Sequence, residues 1–276
     1  MASREDWIGR TGLEWSRRGS ALETLLGPAG QEGLRALAAK PGERILDLGC
    51  GAGPSSVALA NAVATEGHVL AIDVSPDLVV QAREKLAGHQ NVEVIEADAE
   101  TQAFEPESFD ALFSRFGSMF FDNPEAAFSN LGGAMKPGAR AVFVAWREAV
   151  RNQWASVPMT FTTDGAAPQG PQAGPGPFAW ADPGVFRPAL EAGGFQDIAA
   201  EPFEFMAEVG DGTSSDPVER AAEFMFRIGP LAARLKGASD EAKEEARAFL
   251  QRRLARHVQD GAVRLLASAW IITARV

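Results

Sequence analysis

Tyrosine is absent from this chain, cysteine occurs once and histidine three times in 276 residues. Without tyrosine, no site here has a phenolic donor or base, which shifts weight toward alignment of reactants over proton transfer. The single Cys50 has no partner for an internal disulfide, in keeping with a reducing compartment. Apolar runs long enough to cross a bilayer are missing, and Met1 to Asp6 is charged where a secretory signal would be apolar. A cytoplasmic location without a membrane partner is therefore expected. Positive charge is also scarce: 26 Lys and Arg against 37 Asp and Glu give a net charge of −11, which argues against nucleic acid. Arg252, Arg253 and Arg256 follow Glu241, Glu244 and Glu245, the order that suits the dipole of one solvated helix. No Cys, His and carboxylate cluster has metal-ligand spacing, so no metal is expected. Asp122-Asn123 comes nearest, but Pro124-Glu125 follows directly and marks a helix start.

What is present is an ordinary globular balance, 46% hydrophobic and 23% charged, enough for one full α/β core. Short β-leaning runs occur at Arg44 to Leu48, Val69 to Asp73, Val92 to Glu96, Phe109 to Phe113 and Ala141 to Ala145. Helices with Pro at the first position are predicted over Pro54 to Ala64, Pro76 to Ala87 and Pro124 to Met135. This alternation predicts a doubly wound, mostly parallel sheet with helices on both faces, and ligands beyond the carboxyl ends of the strands. Ahead of it, Ala21 to Ala39 reads as helix interrupted near Gly27-Pro28. Beyond it come a Gly- and Pro-rich loop, Gly165 to Pro177, a helix over Asp182 to Ala192, and strands over Ile198 to Val209 and Val263 to Val276. Helices over Asp216 to Lys236 and Asp240 to Gln259 lie between those strands, placed to form a lid. The expected organisation is one domain, 1–276. It comprises a helical cap (1–40), a cofactor-binding core (41–150), a mobile loop and helix (151–195), and the last two strands (196–276) with lid helices at about 216–260.

The stretch Asp47-Leu48-Gly49-Cys50-Gly51-Ala52-Gly53-Pro54 follows a strand and opens a helix. Its glycines let backbone approach a ligand at the positive helix terminus. A dinucleotide fingerprint wants glycine at the sixth position from Gly49, where Pro54 stands; here the glycines alternate instead. In this the chain resembles the class I S-adenosylmethionine-dependent methyltransferases, of the small-molecule, UbiE-like kind. Further pieces match in order: Ala71 to Ser75, Glu96 to Glu100, Phe109 to Phe116, and Met135 to Arg140 as the turn before the fifth strand. Ala139 departs from the family's second glycine in that turn, away from the cofactor.

The resemblance implies a Rossmann-like, seven-stranded sheet with S-adenosylmethionine as cofactor and S-adenosylhomocysteine as product. It places the cofactor against Asp47, Gly49, Cys50, Gly51 and Gly53. Asp73 and Val74 would stand at the ribose, Asp98 and Ala99 at the adenine, and Ser114, Arg115 and Phe116 at the end of the fourth strand. Cys50 is expected only to be small enough for close approach, not to be a nucleophile. Arg115 and Arg147 stand at strand exits, where a guanidinium suits a carboxylate or a surface ion pair.

Methyl transfer from a sulfonium is an in-line displacement that needs alignment and exclusion of water, with a base only where the acceptor carries a proton. His68 and His89 read as surface residues; His257, on the second late helix at i+3 from Leu254, is a weak candidate base and otherwise a packing residue. An apolar substrate wall is expected from Trp7, Trp15, Met119, Phe120, Phe121, Trp146 and Trp154. A small apolar or aromatic metabolite follows as substrate, with a monomeric or homodimeric enzyme. Two alternatives stay open: a non-methylating enzyme on the same cofactor fold, such as an aminopropyl transferase or a cyclase, and an NAD-dependent oxidoreductase, whose ribose Asp73 would also suit.

Overall fold

The computed structural model describes residues 4–161 and 174–276. The loop expected over Gly165 to Pro177 lies outside them up to residue 173. Three helices lead the chain: α1 (Arg4–Ile8), α2 (Arg10–Ser16) and α3 (Gly19–Leu37). The core alternates β1 (Arg44–Leu48), α4 (Pro54–Val63), β2 (His68–Asp73), α5 (Pro76–Leu86), β3 (Val92–Glu96), β4 (Phe109–Arg115), α6 (Pro124–Ala134) and β5 (Met135–Trp146). After it come α7 (Gln153–Met159), α8 (Pro183–Ala192), β6 (Gln196–Val209), α9 (Pro217–Arg227), α10 (Pro230–Arg234), α11 (Asp240–Leu254), β7 (Val258–Gln259) and β8 (Ala262–Arg275).

Helix starts follow the local chemistry. Asn123 caps α6 by accepting the Ala126 amide at 3.1 Å, and Asp182 caps α8 through Gly184 at 2.8 Å. Prolines stand in the first turn of both, where a missing N–H costs nothing. The adjacent pair Asp122-Asn123 therefore opens a helix, as its neighbours suggested.

The strands join in the order β3-β2-β1-β4-β5-β8-β6. β1 to β5 run parallel, while β8 lies antiparallel between β5 and β6. The seven expected strands are joined by an eighth, the two-residue β7, a hairpin partner of β8. Because β2 and β3 lie to one side of β1 while β4 and β5 lie to the other, the chain reverses direction across the sheet between β1 and β4. A doubly wound sheet opens a ligand crevice at such a point.

Three local expectations need correction. The first helix does not break at Gly27-Pro28; α3 runs through Pro28. An interior proline costs about 3 kcal/mol. Burying Leu22, Leu25, Leu26 and Leu37 against the sheet, at about 1.5–3 kcal/mol each, offsets it. Gly30 and Gly33 let the helix lie flat, since a Cβ at Gly30 would come 2.5 Å from Arg115 Cδ and one at Gly33 would overlap Val144 Cγ2. Secondly, Met135 to Arg140 is not a separate turn. β5 begins at Met135 opposite Phe109 and resumes pairing at Arg140 opposite Ala111, so the residues between bulge from the ladder around Gly138 (φ 79°). Thirdly, the helix expected over Asp216 to Lys236 is split into α9 and α10 at Ile228-Gly229-Pro230, because Gly229 turns at φ 92° and Pro230 donates no backbone bond. The next helix ends at Leu254, short of Gln259.

Candidate active site

Beyond the carboxyl ends of β1, β2, β3 and β4 lies a cleft of about 770 Å³, open solvent at its mouth included. Its floor is the loop after β1. Gly49, Gly51 and Gly53 all have positive φ (66°, 56° and 81°), a conformation that strains any residue with a Cβ. Gly49 also faces Gly117 of the loop after β4, and a Cβ on Gly49 would lie 3.0 Å from Gly117 Cα. Around the Cβ position of Gly51 nothing lies within 4 Å, so its backbone faces open cleft. Gly53 precedes α4 and packs against Ala82 and Leu86, which fixes the entry of that helix.

Asp73, the last residue of β2, ties this loop to its neighbour. Its Oδ2 accepts the Gly51 amide at 2.8 Å and its Oδ1 the Ser75 amide at 2.9 Å. Burial pushes its carboxyl above the ordinary value, and the Ser75, Gly51 and Val74 amides hold part of that rise back. The carboxylate still has acceptor capacity for a further donor.

Asp47 lies beneath the loop, fully buried. Its Oδ2 accepts the hydroxyls of Ser55 at 2.8 Å and Ser56 at 2.6 Å, while Oδ1 has no partner. Burial pushes its carboxyl from 3.8 to about 6; the two serines and the Arg115 charge pull the other way.

The walls come from distant parts of the chain. After β3, Asp98 Oδ2 pairs with Arg4 Nε of α1 at 2.8 Å, and Glu100 accepts the Asp122 amide at 2.7 Å, which draws the loop after β4 toward the loop after β3. Trp7 stands edge-on to Trp15 (4.9 Å between ring centroids) and to Phe120 (5.0 Å). Arg115, also in the lining, donates from Nη1 to both oxygens of Glu23, at 2.8 and 3.0 Å.

Comparison with known proteins gives this arrangement its context. Residues 45–138, the stretch holding the glycine loop, Asp73, Asp98 and Arg115, match the family described as methyltransferase domain. A demethylmenaquinone methyltransferase of Clavibacter sepedonicus is 43% identical over 108 residues, which is 39% of this chain and 43% of that protein. An aklanonic acid methyltransferase of a Streptomyces species is 32% identical over 104 residues, 37% of this chain and 47% of that one. Over this stretch the chain is similar to the S-adenosylmethionine-dependent methyltransferases. The crystal structure of a putative methyltransferase from Bacillus halodurans shares the fold, with a TM-score of 0.55 and 21% identity over 89% of this chain and 97% of that one. This chain aligns with less than half the length of either curated relative.

The family's cofactor is S-adenosylmethionine, and the cleft suits it: open backbone at Gly51, a carboxylate with spare lone pairs at Asp73, and an apolar wall. Of the residues expected around it, Gly49, Gly51, Asp73, Val74, Asp98, Ala99, Arg115 and Phe116 line the cleft. Asp47, Cys50, Gly53 and Ser114 lie behind the lining: Cys50 is buried with its thiol pushed well up by burial, and Ser114 is fully buried beside Gly117. No nucleophilic role suits such a thiol.

Of the expected substrate wall, Trp7, Trp15, Phe120 and Phe121 line this same cleft. The remainder must be corrected. Met119, Trp146 and Trp154 are core residues, 2%, 3% and 5% exposed. Trp146 stacks on Phe116 at 4.2 Å and thereby supports a phenylalanine held at φ 58°, a costly backbone for so large a residue. His257 sits not on a helix face but in the 3-10 turn after α11, and it lines no part of the cleft. Arg147 pairs with Glu204 and Glu148 and stacks over Trp270, away from the cleft. The late helices α9 to α11 contribute none of the described lining; the cover comes from α1 and α2.

Sequence reasoning missed Arg4, Glu100 and Gly117. Gly117 carried a signal, a glycine just past a strand end, where close backbone approach is a standing use of the residue. For Arg4 there was none, because its partner lies 94 positions away.

Proposed function

We propose that this chain transfers the methyl group of S-adenosylmethionine to a small apolar or aromatic metabolite. The observation that carries the reading is the Asp73 carboxylate at the cleft floor, holding the glycine loop against β2 while it keeps lone pairs for ribose hydroxyls. When bound, the cofactor supplies an electrophilic methyl on a sulfonium. An acceptor's electron pair would take that methyl as the carbon–sulfur bond breaks, releasing S-adenosylhomocysteine.

The protein's own part is alignment and exclusion of water. The glycine loop takes the backbone close to the ligand, Asp73 fixes the ribose, and Asp98 stands at the adenine. Phe116, Phe120 and Phe121 shield the reacting centre, and their faces attract a sulfonium. Among the described residues the lining holds no histidine; an acceptor that carries a proton would release it to water as the new bond forms.

The relatives' substrates suggest which acceptors to try, demethylmenaquinone and aklanonic acid. The test is incubation of the folded protein with S-adenosylmethionine and each acceptor, following S-adenosylhomocysteine and product mass. S-adenosylhomocysteine formed together with a product one methyl heavier supports methyl transfer. An aminopropylated or cyclised product, or preferential binding of NAD over S-adenosylhomocysteine, overturns it.

A further inference from the structure

Arg115 ends β4 and lines the cleft, yet only part of its guanidinium is in use. Nη1 donates to both oxygens of Glu23, at 2.8 and 3.0 Å. Nε and Nη2 make no hydrogen bond among the described residues, and neither is sealed from solvent. That edge presents two parallel N–H groups, the fork that fits a carboxylate. Helix α3 lies against the other side, since a Cβ at Gly30 would come 2.5 Å from Arg115 Cδ and 3.2 Å from its Nη1. Gly27 makes room for the partner in the same way, because a Cβ there would lie 3.1 Å from Glu23 Oε1. Two glycines of one helix thus seat the ion pair and leave the unused edge of the guanidinium facing away from α3.

The strand order says which end of the cofactor comes there. With adenine at Asp98 beyond β3 and ribose at Asp73 beyond β2, the order β3-β2-β1-β4 leaves the amino-acid arm beyond β1 and β4. Arg115 stands at the end of β4, two strand spacings or about 10 Å from β2. Its charge is felt by Asp47 beneath the glycine loop, which sets the guanidinium close to β1. The arm carries an α-carboxylate and an α-ammonium, and a guanidinium attracts the first and repels the second. Arg4, the other cation of the described lining, is held by Asp98 at the adenine end.

We propose that Arg115 reads the α-carboxylate of the cofactor through its Nε and Nη2 edge, with Glu23 as the positioning residue. This rests on the cofactor reading above and gives that site a selectivity. It disfavours ligands that lack the carboxylate, including the decarboxylated sulfonium that an aminopropyl transferase would use. Glu23, Gly27 and Gly30 lie outside residues 45–138, so this chain adds the device to the stretch it shares with methyltransferase domains.

The test is calorimetric titration of the full chain with S-adenosylhomocysteine and with its analogue in which hydrogen replaces the α-carboxylate. Wild type should prefer the carboxylate form by about ten- to hundredfold, the scale of hydrogen bonds to a charged group. Arg115→Gln should lose that preference while binding the analogue within about twofold of wild type. Glu23→Gln should lower the preference about three- to tenfold and leave analogue binding unchanged, a pattern that general loosening of the cleft would not give. Equal binding of the two ligands by wild type, or an undiminished preference in Arg115→Gln, would overturn the assignment. Should Arg115→Gln not fold, Glu23→Gln decides, since Glu23 is half-exposed: a reduced preference supports the proposal and an undiminished one overturns it. Folded wild type that binds neither ligand would remove the cofactor reading itself, whereas equal binding of both removes only the carboxylate assignment.

Discussion

The carboxylate of Asp73 and the amide of Gly51 meet at 2.8 Å across 22 positions of sequence, so that the end of β2 holds the glycine loop of β1 in its ligand-facing shape. The same side chain shapes the loop and, on the proposed cofactor reading, would meet the ribose. Asp73→Ala should weaken S-adenosylhomocysteine binding by about 1.5–3 kcal/mol, the scale for hydrogen bonds to a charged group, and should also lower the melting temperature, because the Gly51 and Ser75 amides lose their acceptor. Calorimetry on both proteins checks it, and unchanged affinity would remove Asp73 from the site.

Asp47 makes stability depend on pH. Its folded value of about 6 lies above the ordinary 3.8, so the folded state holds the proton more tightly. The resulting stabilisation is present below about pH 4 and is lost as the pH rises through about 6, leaving a cost of about 3 kcal/mol above that. Asp47→Asn keeps an acceptor for the serine hydroxyls and removes the buried charge. It should be more stable than wild type by about 1–3 kcal/mol at pH 7.5, with the gap closing below pH 4. Denaturant unfolding across that range would show the convergence, and a pH-independent gap would contradict it.

Gly33 gives a test of sign. In an exposed helix, glycine to alanine gains about 1 kcal/mol. In α3 the added methyl would overlap Val144 Cγ2 and lie 3.1 Å from Phe113 Cε2, so Gly33→Ala should instead destabilise by about 1–3 kcal/mol in urea. A stabilised variant would mean that α3 lies less tightly on the sheet.

Asn152, fully buried after β5, donates to the carbonyls of Arg147, Glu148 and Ser268 and accepts from the Trp154 indole and the Ser268 amide. Alanine there leaves several buried groups unpaired. A loss of about 3 kcal/mol or more in unfolding free energy is expected, without direct effect on S-adenosylhomocysteine affinity in the folded fraction.

The parallel strands and the helices between them were legible in the sequence because their signals are local: an apolar run, a capping residue and a proline within a few positions of each other. The glycine loop was legible for the same reason, since alternating glycines after a strand state a backbone requirement directly. Asp122-Asn123 was read correctly as a helix start from two neighbours. What resisted reading depends on partners far along the chain. Proline inside α3 is tolerated because the helix buries Leu22, Leu25, Leu26 and Leu37, and its close approach to the sheet depends on glycines 30 and 33, which leave room for Arg115 and Val144. Trp146 and Trp154 look like pocket residues in a linear sequence and become core once β8 inserts beside β5. That α1 and α2, not the later helices, close over the cleft follows from Arg4 meeting Asp98 and Gly12 meeting Ser75. Periodicity records which face of an element is apolar, but which distant surface that face will meet is settled only by three-dimensional packing.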